Sequence, residues 1–106
     1  MTLPEMKTLL ESVTGFSNKV TYYEWPIGEA PALPFVCYFN PNDTDFAADN
    51  INYYSTPRFV VELYTKDRDL ATEALFEAKF RNNDIYYTKE TEFITDERCW
   101  MTVFSI

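Results

Sequence analysis

Apolar positions along this chain change period several times, and each change marks an element. From Thr2 to Val13 they recur three and four apart (Met6, Leu9, Leu10, Val13), the spacing of a single helix face. Thr2 and Glu5 have capping-box spacing, Pro4 sits in the first turn, and Thr14 and Gly15 supply the stop. These signals predict a helix from Leu3 to Val13. The period then falls to two. From Lys19 to Trp25, Val20, Tyr22 and Glu24 alternate with Thr21, Tyr23 and Trp25, and Phe35 to Phe39 is again β-branched and aromatic. Two strands are expected there, joined by a proline-rich loop from Pro26 to Pro34.

The strongest strand signal, Arg58 to Tyr64, passes directly into the strongest helix signal, Asp69 to Phe80. In that strand Phe59, Val61 and Leu63 share one face, and Val60, Glu62 and Tyr64 share the other. Asp67 is the expected N-cap, with Asp69 acidic in the first turn. The helix has two apolar sides. Leu70, Ala71, Ala74, Leu75 and Ala78 form one, small enough to lie close against a sheet, and Phe76 and Phe80 fall nearly opposite. This arrangement predicts that the alanine side builds the subunit, leaving Phe76 and Phe80 for the first helix or for another molecule. Residues 85–94 follow as one long strand or two short ones, and Cys99 to Ile106 as a last strand. Both faces of that last strand are mainly apolar, as in a strand that is central in a sheet or lies under a partner. The order is α-β-β-β-α-β-β, an α+β fold with two helices packed on a largely antiparallel sheet.

At 106 residues this is the size of one domain, which buries roughly two-thirds of the surface its unfolded chain exposes. Hydrophobic residues at 46% and charged residues at 25% describe a chain that folds rather than stays disordered. A formal charge of -8 disfavours non-specific binding to nucleic acid or to an anionic membrane. No run approaches the ~18 apolar residues of a membrane span. The first residues lack the basic start and apolar run of a signal peptide, so a soluble, intracellular protein is expected.

Histidine is absent, which removes the commonest general base and the commonest metal ligand. Two glycines are too few for a phosphate-cradling loop. Cys37 and Cys99 lie within apolar strands with no histidine to activate them, and read as buried free thiols. Glu90 and Glu92 share one face of a strand, as a carboxylate pair or metal clamp does, but they sit in a solvated strand-turn region. Asp43, Asp45 and Asp49 resemble a calcium loop only loosely, because the turn glycine and the closing glutamate are missing. No catalytic, cofactor or metal site is expected, and an enzyme is not.

Aromatic side chains are the more informative group. Tyr22 and Tyr23, Tyr53 and Tyr54, and Tyr86 and Tyr87 are adjacent pairs within extended runs, so part of each pair faces away from a one-sided core. Tyrosine and tryptophan suit protein contacts, combining large area with few rotors and a polar tip. The interface residues expected on this ground are Phe76, Phe80, Tyr23, Trp25, Phe46, Tyr53 and Tyr54. The competing expectation is that helices and loops cover these rings within one chain.

The run from Phe46 through the Tyr53 and Tyr54 pair, the strand ending Val61-Glu62-Leu63-Tyr64-Thr65, the acidic-capped helix from Asp69, and the Tyr- and Glu-rich stretch from Ile85 to Glu97 form a recognisable pattern. It resembles the small tail-completion, or tail-terminator, proteins encoded in the head–tail joining region of siphophages and of prophages in Gram-positive bacteria. The resemblance covers Val20 to Ile106 and implies a fold like that of the lambda-type tail terminator, with residues Asn40 to Asn52 as its long inter-strand loop.

It further implies a structural protein with no catalytic or cofactor residues: a hexameric ring that caps the tail tube and docks to the head connector. Its partners are copies of itself, the tail tube protein and the head connector protein, with no membrane. DNA only passes through the lumen, where an acidic lining would repel the phosphates. The expected location is the host cytoplasm during assembly and then the virion neck. Two alternatives remain open at this point: another head–tail joining protein, or an acidic phage-encoded inhibitor that mimics nucleic acid.

Overall fold

The computed structural model describes residues 2–26, 28–40 and 59–106, and every structural statement below refers to those residues. The elements run α1 (Leu3–Glu11), β1 (Val20–Tyr22), β2 (Phe35–Phe39), β3 (Val60–Thr65), α2 (Leu70–Asn82), β4 (Thr88–Ile94) and β5 (Cys99–Ser105). The five strands form one sheet in the order β1-β2-β3-β5-β4. Only β1 and β2 pair in parallel, and the other three pairings are antiparallel. The molecule is a small α+β domain of two helices and a mostly antiparallel sheet. As its two-sided apolar pattern predicts, β5 has a strand on each side.

Helix α1 begins with the full capping box. The Glu5 N–H donates to Thr2 Oγ1 at 3.3 Å, and the Thr2 N–H donates to Glu5 Oε1 at 2.7 Å. The helix ends at Glu11, a little before the expected Val13, and the chain turns through Gly15 at φ 91°. Val13 and Phe16 nonetheless stay buried. Helix α2 is capped by Asp69 and not by Asp67: Asp69 Oδ1 accepts the Thr72 N–H at 3.0 Å. Strand β1 stops at Tyr22, short of Trp25, because Tyr23 adopts φ 69° and leaves the extended region.

Both helices lie over one face of the sheet. Register places Val20, Val36, Leu63 and Thr102 in one row of that face, and Tyr22, Tyr38, Val61 and Phe104 in the next. Met6 and Leu10 from α1 and Phe76 and Phe80 from α2 complete the core on these rows. The expected assignment of the two sides of α2 is therefore reversed. Phe76 and Phe80 are fully buried, whereas Leu70 is 63% and Leu75 45% exposed. The rings fill the space between helix and sheet, which alanine methyls cannot do without leaving a void. Phe76 meets Phe16 edge-on with centroids 4.8 Å apart, and Phe80 meets Phe104 at 5.3 Å.

The inward stripe of α2 includes Glu73, which is buried. Arg68 Nε donates to Glu73 Oε2 at 2.9 Å and Lys89 Nζ to Glu73 Oε1 at 3.0 Å, so the carboxylate is paired on both oxygens. Lys89 also reaches Glu77 at 3.0 Å, and Glu77 accepts the Tyr87 hydroxyl at 2.7 Å. This network ties α2 to β4, the outermost strand on that side of the sheet.

Candidate functional site

The opposite face of the sheet carries the other half of each strand. Register places Cys37, Glu62, Val103 and Glu90 in one row across four strands, and Phe35, Tyr64, Met101 and Glu92 in the next. Neither α1 nor α2 covers this face, since their buried side chains all pack on the other one. A concavity of about 630 Å³ lies here, within the size range of ligand pockets. Its walls are Trp25, Phe35, Phe39 and Tyr64, with Tyr23 at the side and Ile94 and Cys99 beyond. The rings pack in two groups: Phe35 lies between Trp25, with centroids 6.0 Å apart, and Tyr64, at 5.2 Å, and Tyr23 pairs with Phe39 at 5.6 Å.

Tyr23 and Trp25, both expected at an interface, are thus brought together. The left-handed turn at Tyr23 is held by its N–H, which donates to the Tyr38 carbonyl at 2.7 Å, and the Tyr23 ring is 62% exposed. The Trp25 indole N–H is buried and has no acceptor. Phe76 and Phe80 do not belong to this surface; both are core residues, so their assignment to a subunit contact is corrected. Phe46, Tyr53 and Tyr54, together with Asp43, Asp45 and Asp49, lie outside the described residues.

Of the remaining tyrosine pair, Tyr86 points outward at 84% exposure, while Tyr87 packs on Phe80 and Phe104. The contribution of Phe35, Phe39, Glu62 and Tyr64 to the concavity was not legible in the sequence. Strand alternation groups Glu62 with Tyr64, yet only the cross-strand register sets them beside Phe35 and Cys37.

The electrostatics of this face are one-sided. Glu24, Glu62 and Glu97 line the concavity, no lysine or arginine is among its described lining residues, and none of the three glutamates forms an ion pair there. Glu62 accepts one hydrogen bond, from the Tyr64 hydroxyl at 2.9 Å. Burial raises the Tyr64 hydroxyl pKa, and the bond to Glu62 raises it further. Burial also pushes the Cys37 thiol up to about 11, with the Glu62 and Glu24 carboxylates adding to the shift. Cys99 is raised by burial and then by Glu97. Both cysteines are free and buried, as the sequence predicts, and both belong to this concavity.

Among the described residues no helix is long and apolar enough to cross a membrane. Compared with known proteins, the chain matches no family model, no curated protein and no solved structure.

Proposed function

We propose that this chain is a structural virion protein of the head–tail joint, a tail-completion or tail-terminator subunit that works as a ring. The ring caps the tail tube, ends its growth and presents a surface to the head connector. The observation that supports this reading is the sheet face away from α1 and α2, where Tyr23, Trp25, Phe35, Phe39 and Tyr64 gather around an open concavity. Large, stiff aromatic side chains at a partly exposed surface are what protein contacts use. The sequence resemblance supplies the kind of assembly, and the acidic charge of -8 suits a ring through which DNA slides without sticking.

A nucleic-acid mimic would hold its carboxylates in an open, phosphate-like array. Glu73 and Glu77 cannot take part in one, being tied to Arg68, Lys89 and Arg81, and Glu62 is half-buried among aromatic rings. Removing the gene from a phage or prophage that carries it tests the reading. Particles with overlong, unattached tails are the expected result, and tails of normal length joined to heads would overturn it.

A further inference from the structure

The ionic balance of the two sheet faces differs. On the helix side, the buried carboxylate Glu73 and its neighbour Glu77 are met by Arg68, Lys89 and Arg81. On the other side, Glu62 sits half-buried at the middle of the sheet with a tyrosine hydroxyl as its partner and no cation among the described residues, and Glu24 and Glu97 stand near it along the same concavity. A half-buried carboxylate without a counter-ion retains an unmet demand for positive charge. Aromatic walls add to that demand, because ring faces attract cations and stack well on a planar guanidinium.

We propose that the concavity receives an arginine side chain from a partner polypeptide, its guanidinium set against the Glu62 carboxylate and flanked by the rings of Phe35, Tyr64 and Trp25. Arginine fits better than lysine, since it presents a flat surface to the rings and a fork of N–H donors to the carboxylate at once. A polypeptide fits better than a free cation. Its main chain carries carbonyl oxygens, the kind of acceptor that the buried Trp25 indole N–H lacks among the described residues. Glu24 and Glu97 then act at the rim, steering a basic segment toward the opening. This inference stands on the cavity's own chemistry and holds whether or not the chain builds a phage joint.

Titration of the ¹⁵N-labelled full chain with N-acetyl-arginine methylamide, followed by NMR, tests it directly. The citrulline compound, of the same shape without the charge, is the control, and the Trp25 indole resonance is assigned by its loss in Trp25→Phe. The expected result is a saturable shift of that indole and of the Cys37 and Glu62 amides, with no saturable shift from citrulline. Glu62→Gln should weaken arginine binding by about tenfold or more. Glu97→Gln, on an exposed turn where it does not threaten the fold, should weaken it by about two- to threefold. Equal response to arginine and citrulline, shifts confined to other surfaces, or unchanged binding in a well-folded Glu62→Gln protein would overturn the proposal.

Discussion

The Glu73 carboxylate, on the inward side of α2 and 1% exposed, receives the Lys89 ammonium of β4 at 3.0 Å. That contact joins a helix to the outermost strand through a buried charge, and it explains why α2 turns a glutamate inward between sheet and solvent. Removing one member of a buried pair leaves the other unmet. Glu77, also 3.0 Å from Lys89, limits the damage. Glu73→Gln, which keeps shape and loses charge, is expected to lower stability by about 1–3 kcal/mol in urea unfolding, with an unchanged slope. A loss below about 0.5 kcal/mol would show that the network does not hold the helix.

The same network sets a pH dependence. Burial alone would raise the Glu73 pKa, but the bonds from Arg68 and Lys89 outweigh it and hold the carboxyl below its ordinary value. Glu77 is held low first by the Tyr87 hydroxyl and then, against burial, by Lys89. Lys89 is raised, by Glu77 and then Glu73. Depressed carboxyls contribute stability above their unfolded pKa of about 4.3 that disappears as pH falls through the folded values. The raised lysine contributes stability that is complete below about 10.4 and disappears as pH rises through its folded value. The Cys37 and Cys99 thiols, both raised by burial, contribute stability that is complete only below the unfolded thiol pKa of about 8.5 and falls as pH rises above it. Thermal unfolding should therefore show a plateau between roughly pH 5 and 8, with a shallower acid-side fall in Glu73→Gln. An acid limb identical in the two proteins would contradict this account.

The two sides of α2 make opposite predictions. Phe80→Ala empties a site among Tyr87 and Phe104, and Phe76→Ala one beside Phe16 and Phe104. Each should cost about 3–5 kcal/mol. Leu70→Gln and Leu75→Gln, on the outward side, should change stability by less than about 0.5 kcal/mol. Comparable losses on both sides in denaturant titrations would mean that the helix is seated the other way.

That inversion shows where sequence reasoning stops. Capping at Thr2 and Glu5, alternation in Phe35 to Phe39 and Phe59 to Tyr64, and the two-sided pattern of the last strand were legible because each rests on local chemistry. Which side of α2 faces inward was not, because Glu73 breaks the apolar stripe and its neutralising partners come from Arg68 and, far away in sequence, Lys89. That Tyr23 and Trp25 lie away from the helix-side core was legible from their place among adjacent aromatic residues in an extended run. The rest of the concavity depends on register between β2 and β3, a long-range pairing that no local signal reports.

Cysteine reactivity probes the concavity. With burial and two carboxylates lifting the Cys37 thiol to about 11, little thiolate exists near neutrality. At pH 8 the folded protein should react with iodoacetamide on the order of 100-fold more slowly at Cys37 than a free thiol does, and at full rate in urea. Rapid labelling of Cys37 in the folded chain would contradict its placement.

The central claim is that the chain acts as a ring subunit, and solution mass tests it most directly. Light scattering on the purified chain, alone and with tail tube protein, should reveal a closed oligomer, six times the 12.5 kDa chain mass if the resemblance holds in full. A 12.5 kDa monomer in both samples, at high concentration, would contradict the account.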